Sequence, residues 1–262
     1  RVLRINLSDR STTAEAIGDR FCRQYIGGAG FIAHYLWEEL KQGVDPLGPE
    51  NKLIFALGPV SGQPLAGGAR NCVGAKSPLT GGIAMSEAGG FWAAELKRAG
   101  YDAIIVDGRA DTPVYLSIRD GEASIRDATH LWGHNTKETE AEIRAELGDS
   151  RVQLALIGPA GENVVRYACI MHGLHDAAGR GGLGAVMGSK NLKAIAVRGH
   201  NLPHAAEPDR LKEIRQRLVA DPHPISFFGT GGPDMLRSES VGNLPVRNFR
   251  DGLFPEVRDI NG

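Results

Sequence analysis

The sequence is poor in cysteine and has no excess of either charge, and each absence excludes a class of protein. Cys22, Cys72 and Cys169 lie far apart in the 262 residues, so they form neither a disulfide framework nor a paired metal motif, and they indicate a reducing compartment. Thirty basic residues against thirty-one acidic residues argue against a nucleic-acid partner, which usually requires a basic excess.

Long apolar runs are also absent. No run of about 18 apolar residues occurs, so no membrane span is predicted, and no basic-then-apolar leader opens the chain. We therefore expect a cytoplasmic protein with no membrane partner. The chain starts at Arg1 without Met and stops at Gly262 with no capping element, so we expect a fragment of a longer polypeptide.

Glycine is the residue in excess. The chain has 35 glycines, about 13% of its residues against roughly 7% in average proteins. They follow no collagen period, so we expect them in turns and at close backbone approaches.

The hydrophobic pattern predicts both strands and helices. Alternation predicts a strand over 1–7, an apolar run predicts a buried strand over 53–57, and helical spacing predicts a helix over 29–40. Asp120-Gly121 predicts a hairpin between 113–119 and 122–126. Two more helices are predicted, over 136–147, where Asn135, Glu138 and Gly148 provide the end signals, and over 207–220.

An internal repeat is the most informative pattern. Residues 53–59 read LIFALGP and residues 153–159 read QLALIGP. Each Gly-Pro precedes a second predicted strand (70–73 and 166–169), a double glycine, a short helix and a closing strand. The repeat therefore covers about 50–108 and 150–199, and it predicts two related halves with a pseudo-twofold axis, able to hold a ligand that is itself roughly two-fold.

The double glycines predict anion sites. A double glycine before a helix lets a phosphate approach the free N–H groups and the positive end of the helix dipole. Arg70 lies in the first half and Arg180 in the second loop, and guanidinium groups suit phosphate. The alternative is that these glycines pack helix against sheet while each arginine pairs with a carboxylate.

Three further patterns do not indicate a functional site. Residues 179–184 fit G-x-G-x-x-G, but the preceding strand ends too early and no acid follows about 20 residues on, which argues against NAD or FAD. His172 and His175 lack a further metal ligand, which argues against zinc. Glu95 and its basic neighbours are expected on the solvated face of a helix over 90–100.

Several motifs resemble the tungsten-containing aldehyde:ferredoxin oxidoreductase family. The likeness runs in order over roughly residues 1–200. The motifs are KSPLTG (76–81), AELKRAGYDAIIV (94–106), RDATHLWG (126–133), IGPAGEN (157–163) and GRGGLGAVMGSKNLKAIAV (179–197).

The resemblance implies an α+β fold with two β-sheets related by the pseudo-twofold repeat, followed by the start of a helical domain. Residues 1–203 would form the pterin-cradling N-terminal domain and residues 204–262 the beginning of the helical one. In this family the domain lies against tungsten, or sometimes molybdenum, held by two molybdopterins. A magnesium ion bridges the two pterin phosphates.

The resemblance also implies cofactor-binding positions. Arg70 matches a pterin-contacting arginine, and the backbone carbonyls of Glu87 and Ala177 match those that reach magnesium. The full set of implied cofactor-binding residues is Arg70, Glu87, Ala88, Gly89, Asp176, Ala177, Gly179, Arg180 and Gly181.

Two positions depart from the family pattern. Glu87 stands where Asn is expected, and Asp176 stands where the family has Arg. Two added carboxylates near phosphates would repel them unless magnesium or a nearby arginine compensates, and Arg180 is a candidate for that role.

The implied activity belongs to the whole protein. It is the oxidation of an aldehyde to a carboxylate, with electrons passing through a [4Fe–4S] cluster to ferredoxin. The cluster cysteines and acid–base residues lie beyond residue 262 in the family, so we expect no catalytic residue in this chain and no turnover by it alone. We also expect apolar contact with the absent helical domains and a homo-oligomer. Alternatives are a related branch, such as an aromatic acyl-thioester reductase or a hydroxy-acid oxidoreductase, and a stand-alone, non-catalytic pterin-binding module.

Overall fold

The structure, a computed structural model, describes residues 1–65, 67–221 and 232–260. The chain divides into two compact units, residues 1–205 and 206–262. Among the described helices, none is long and apolar enough to cross a membrane. The assignment of the units as a pterin-binding domain and the start of a helical domain stays a prediction.

The first unit begins with a six-stranded mixed sheet. Its strands lie in the order β2-β1-β6-β3-β4-β5, and only the β1–β6 pair is parallel. The strands are β1 Val2–Asn6, β2 Ser11–Glu15, β3 Leu53–Leu57, β4 Asn71–Lys76, β5 Ile83–Ala88 and β6 Ala103–Asp107.

A second six-stranded mixed sheet follows. Its order is β11-β10-β9-β12-β7-β8, and only the β7–β12 pair is parallel. The strands are β7 Val114–Arg119, β8 Glu122–Asp127, β9 Gln153–Leu156, β10 Ile170–His172, β11 Asp176–Ala178 and β12 Leu192–Arg198.

The two sheets have the same topology. Adding six to each strand number of the first sheet gives the second sheet read from its other edge, with the parallel pair in the same place. The predicted α+β fold with two repeated sheets is therefore confirmed. The repeat is longer than the sequence indicates, because a hairpin, β1–β2 or β7–β8, opens each half.

The helices of the first unit complete the two halves. Helices α2 and α4 hold equivalent positions after the opening hairpins, and α3 and α6 follow the double glycines. Their bounds are α1 Asp19–Tyr25, α2 Ala29–Glu39, α3 Trp92–Arg98, α4 Thr136–Leu147, α5 Pro159–Glu162 and α6 Leu183–Ser189.

Alternation along the strands divides the apolar side chains among three cores. In β3, Leu53, Phe55 and Leu57 enter a central core that also contains residues of the second sheet, α3 and α6. Ile54 and Ala56 enter an outer core with α2, and the outer face of the second sheet forms the corresponding core with α4. Strands buried on both faces read as continuous apolar runs, which explains the sequence of β3.

Buried polar contacts connect the two halves. The indole N–H of Trp92 in α3 donates to the carbonyl of Ile195 in β12 at 3.0 Å. The Lys190 ammonium, at the end of α6, donates to the carbonyls of Pro49, Asn51 and Gly108. Burial lowers the pKa of Lys190 to about 8, so the side chain still carries its proton at neutral pH.

The local predictions with strong signals are confirmed. Asn135 accepts from the backbone N–H of Glu138 at 3.0 Å, the Glu138 carboxylate accepts from that of Asn135, and Gly148 ends α4 in the left-handed conformation. The hairpin turn has positive φ at Asp120 and Gly121 (48° and 95°), as the two central residues of a type I′ turn require.

Two expectations are wrong. Residues 166–169 are not a strand; the strand in that region is β10, which begins at Ile170. Glu95 is buried rather than solvated, because its carboxylate accepts from Arg198 Nη1 at 2.6 Å and from the backbone N–H of Gly199 at 3.0 Å. Both partners lie more than 100 residues along the chain, so helical periodicity cannot reveal them.

The second unit contains three described helices. Helix α7 spans Pro208–Ala220, α8 spans Pro233–Ser240 and α9 spans Val257–Ile260. The predicted helix over 207–220 is therefore confirmed. An isolated bridge joins Val246 and Asp251.

Candidate functional site

The candidate site lies where the edge strands β5 and β11 meet. Each strand ends in a glycine-rich segment, here called the first loop (residues 87–90) and the second loop (residues 176–182). The two strands contact one another. Since β5 and β11 hold equivalent places in the two halves, the fold brings together the two loops that the repeat singled out.

Strand register shows which positions of the two loops correspond. Ala88 lies opposite Asn71, the first residue of β4, and Ala178 lies opposite Ile170, the first residue of β10. Both alanines are buried. One residue earlier in each strand, Glu87 and Ala177 are exposed, so the two residues assigned to magnesium by resemblance occupy equivalent positions.

Direct contacts fix the second loop against the first half. The backbone N–H of Arg180 donates to Ser86 Oγ at 3.3 Å, and the Ser77 hydroxyl donates to the Gly181 carbonyl at 2.7 Å. A Cβ atom on Gly181 would lie 2.5 Å from that of Ala84, which no side chain can satisfy. Glycine at this position is therefore required by the close approach of the two halves.

Asp176 reaches across to the first loop. A Cβ atom on Gly89 would lie 2.6 Å from Asp176 Oδ1, and one on Gly90 would lie 3.1 Å from Oδ2. The carboxylate thus rests against the double glycine of the opposite half. The equivalent position to Gly89 is Gly179, where an added Cβ would meet nothing within 4 Å.

Three of the four charged side chains at the loops are exposed, and the fourth, Asp176, is half-buried. Arg70 Nη1 lies 3.7 Å from Glu87 Oε2, with both side chains more than 60% exposed, so the pair contributes little and leaves guanidinium donors free. Arg180 is exposed as well. Two arginines and two carboxylates, Glu87 and Asp176, therefore leave the site without net charge from these four groups.

A cleft of about 230 Å³ lies beside the first loop. Gly28, Gly58, Gly67 and Gly68 line it together with Arg70 and others. Glycines at these positions leave backbone atoms open to a ligand. Cys72 also lines the cleft, and burial raises the pKa of its thiol to about 11, so this cysteine is a neutral thiol and not a nucleophile.

A buried polar pair lies behind the loops. Asn71 Nδ2 and His172 Nε2 are 3.1 Å apart, and both side chains are buried. Burial lowers the pKa of His172 to about 4, so its imidazole is neutral at physiological pH. Neither Asn71 Oδ1 nor His172 Nδ1 has a partner among the described residues. Sequence reasoning considered His172 only as a metal ligand and did not identify Asn71.

The prediction that His172 and His175 form no zinc site stays a prediction. Within residues 1–65, 67–221 and 232–260, no group of three or more His, Cys, Asp or Glu side chains is placed to hold a metal ion. A metal at this site would depend on backbone carbonyls and on the ligand itself. The glycine-lined cleft, the free arginine donors and the unpaired buried polar atoms fit a phosphate-bearing group that also brings a cation to offset Glu87 and Asp176.

Comparison with known proteins agrees with this geometry. A family model described as the N-terminal domain of aldehyde ferredoxin oxidoreductase matches residues 2–199. The tungsten-containing aldehyde ferredoxin oxidoreductase of Pyrococcus horikoshii is 46% identical over 100% of this chain and 44% of its own length. The aliphatic sulfonate oxidoreductase WOR-like subunit of Pyrococcus furiosus is 34% identical over 96% of this chain and 43% of its own.

A solved structure shares the fold. The active site complex BamBC of benzoyl coenzyme A reductase, in complex with 1,5-dienoyl-CoA, superimposes with a TM-score of 0.83 at 39% sequence identity. The match covers 91% of this chain and 39% of that one. The chain thus spans less than half the length of the relatives that it matches.

Proposed function

The chain belongs to the aldehyde ferredoxin oxidoreductase family, and from this premise we propose that it is the part of a tungsten or molybdenum oxidoreductase that holds two pterins. The observation that carries the proposal is the meeting of the two loops across the repeat. A ligand with two similar halves would find one loop for each half.

The resemblance implies the roles of individual residues, and their positions support those roles. Arg70 and Arg180 are both exposed, one in each half, and would bind the two phosphates. The carbonyls of Glu87 and Ala177 occupy equivalent positions and would bind magnesium. When bound, the metal and its dithiolene sulfurs supply two-electron redox chemistry, while this chain supplies binding and orientation.

We propose that the whole protein oxidises an aldehyde to a carboxylate, with water supplying the second oxygen, and releases two electrons and three protons. The electrons would leave through a [4Fe–4S] cluster outside these residues to ferredoxin. The relatives named as tungsten-containing aldehyde ferredoxin oxidoreductases support this assignment, since they match over the whole chain at 43–46% identity. A homo-oligomer, a cytoplasmic location and inactivity of residues 1–262 alone belong to the same proposal.

A second candidate function is that of the benzoyl coenzyme A reductase branch. The specific observation in its favour is the BamBC complex, which is 39% identical to this chain and shares its fold. In that case the substrate would be an aromatic acyl thioester in place of an aldehyde.

The first test is composition. The protein purified anaerobically from its native source is analysed for intact mass, tungsten, molybdenum, iron and pterin. The proposal expects a mass well above 28.0 kDa, with about one tungsten or molybdenum and about four irons per chain. A native mass near 28 kDa without metal or pterin would instead identify a stand-alone module.

A variant pair tests the assigned site. Arg70→Gln removes a free guanidinium at the first loop and should lower pterin content by about tenfold or more at limiting cofactor, because charge-assisted bonds to phosphate are lost. Arg151→Gln, whose side chain is 72% exposed, is the matched control and should keep full content. Equal pterin content in both variants would remove Arg70 from the site. A separate assay distinguishes the two candidate functions. Reduction of a dye that depends on an added aldehyde would support the aldehyde oxidoreductase, and reduction of the dye that depends on a dienoyl thioester would support the benzoyl coenzyme A reductase branch.

A further inference from the structure

A cavity lies on the outer face of the second sheet, and we call it the outer cavity. Its volume is about 310 Å³, and its lining residues lie in β7, β8, β12, the last turn of α4 and the segment before β9. None of these lining residues belongs to the first or second loop. Leu147, Val152 and Ala196 form an apolar wall that is continuous with the outer core. The outer cavity is therefore separate from the candidate site described above.

Strand register shows which residues of the first half correspond to the lining of the outer cavity. The repeated Gly-Pro aligns β3 with β9, and their pairing through β6 and β12 matches the first residue of β1 with the second residue of β7. Two residues further along these strands, Arg4 corresponds to Ser117. The second strands of the two hairpins match in the same way, so Glu15 corresponds to Arg126.

In the first half, the side chain of Arg4 fills the space that corresponds to the outer cavity. Its guanidinium bonds to the carboxylates of Glu15, at 2.7 Å, and of Glu39 in the last turn of α2, at 2.6 and 3.0 Å. Its Cζ atom also lies 5.2 Å from the centre of the Tyr35 ring. The second half has the short side chain of Ser117 at this position, and the space between the sheet and the last turn of α4 is open.

The substitution of Arg126 for Glu15 places a positive charge at one end of the outer cavity. Arg126 lines the cavity and is exposed. The carboxylate at this end, Glu146, accepts from the Tyr115 hydroxyl at 2.8 Å and lies 2.5 Å from His130 Nε2. Among the described residues, none forms an ion pair with Arg126. Its guanidinium donors are therefore free to bind an anionic group in the cavity.

The other charged residues of the lining do not neutralise Arg126. Glu122 lies four residues away along β8, which corresponds to about 13 Å in a strand. Arg119 and Arg198 lie at the same end as Glu122, and both bind Asp149, at 3.1 and 3.3 Å. The cavity thus has one cation without a counter-charge, and it lies at the end opposite to the paired groups.

We propose that the outer cavity binds a small organic carboxylate. The carboxylate would accept from Arg126, and the hydroxyls of Ser117 and Ser124 line the middle of the cavity. An apolar body would lie against Leu147 and Val152. Inorganic phosphate has a second negative charge and no apolar part, so it matches this lining less well. Because the cavity lies outside the two loops, the inference does not depend on the proposed function.

The test uses 4-fluorobenzoate as the probe and the whole protein, with binding followed by fluorine NMR. We expect saturable binding with a Kd of about 1 mM or lower. Ser117→Arg introduces the residue that fills the corresponding space in the first half, and it should abolish binding. Arg126→Gln keeps the cavity but removes its free cation, and it should weaken binding by about tenfold or more. Thermal denaturation checks that both variants are folded.

Two variants serve as matched controls. Ser11→Arg makes the same substitution at an exposed position of the edge strand β2. Arg151→Gln removes an exposed guanidinium outside the cavity. Both should bind the probe as the wild type does.

Several results would overturn the proposal. These are no saturable binding to the wild type up to about 10 mM, unaltered binding in Arg126→Gln or in folded Ser117→Arg, and an equal loss in either control. Because Arg126 is exposed, its variant keeps the test decisive if Ser117→Arg does not fold. Competition with inorganic phosphate tests the class of ligand. Phosphate that displaces the probe at an equal concentration would show that charge alone is recognised and would exclude a carboxylate-specific site.

Discussion

The outer helices α2 and α4 hold equivalent places on the two sheets, but their first turns differ. Helix α4 begins with a reciprocal cap between Asn135 and Glu138, so the backbone N–H of Glu138 has a side-chain acceptor within the chain. Helix α2 follows Gly28 and has neither a side-chain cap nor an acidic residue in its first turn. The two halves thus share the strand order and the outer cores, but only the second half has a side-chain cap at the start of its outer helix.

A second contrast concerns the loops. The second loop is longer and contacts the first half through Arg180, Gly181 and Asp176. The first loop presents mainly backbone to that contact, at Gly89 and Gly90. The pseudo-twofold relation is therefore strict in topology and broken at the side chains, so the two halves of a symmetric ligand would meet different surroundings. Four predictions address this comparison.

The largest expected effect comes from separating the two halves at Lys190. Lys190→Met leaves the carbonyls of Pro49, Asn51 and Gly108 without their buried donor, and we expect a loss of about 3–5 kcal/mol in the free energy of unfolding. Urea denaturation measures this loss. Lys137→Met, at an exposed position of α4, should change stability by less than about 0.5 kcal/mol. Similar midpoints for the two variants would show that Lys190 does not join the halves.

The next effect is the pH dependence that His172 confers. Its pKa is about 4 in the native state and near 6.5 when unfolded, so between these values only the unfolded chain binds the proton. The neutral His172 side chain therefore makes its full contribution to the free energy of unfolding above about pH 6.5. As the pH falls to 4, the free energy of unfolding decreases by about 3 kcal/mol. Unfolding measured from pH 7 to 4 should show this slope, and His172→Gln should flatten it. His204→Gln, an exposed control, should not; a slope that persists in His172→Gln would assign the effect elsewhere.

A smaller effect sharpens the contrast between the loops. Gly89→Ala forces the Asp176 carboxylate away from the first loop, and we expect a cost of about 1–2 kcal/mol in the free energy of unfolding. The equivalent Gly179→Ala enters open space and should be neutral or slightly stabilising. Asp176→Ala should reduce the cost of Gly89→Ala by about 1 kcal/mol in a double-mutant cycle. Additive effects would mean that the two residues do not touch.

The smallest effect removes the cap that distinguishes α4. Asn135→Ala takes away the acceptor for the N–H of Glu138, and we expect a cost of about 1 kcal/mol in the free energy of unfolding, measured by thermal or urea denaturation. Asn243→Ala, an exposed residue outside the helices, serves as the control. A loss no larger than that of the control would show that the cap contributes nothing.

The sequence by itself determined the features that local chemistry specifies. Period-two burial and the continuous apolar run set β1 and β3, and the signals at Asn135, Glu138, Gly148 and Asp120-Gly121 set the limits of α4 and the hairpin. The repeated Gly-Pro and double-glycine segments indicated two related sheets, because the same order of local signals favours the same order of strands and turns in each half. These features depend on residues close in the chain, so a linear pattern contains them.

Only the tertiary structure decided how the site is assembled. The strands β5 and β11 lie at the edges of the sheets and are defined by their pairing with β4 and β10. Residues 166–169 carried a strand signal but belong to no strand. The burial of Glu95 depends on Arg198, and the Asn71–His172 pair joins residues 101 positions apart. Folding also places Gly28, Arg70 and Asn71 around one cleft. Long-range contacts of this kind leave no period in the sequence, since their free energy is gained only when both halves are folded and packed together.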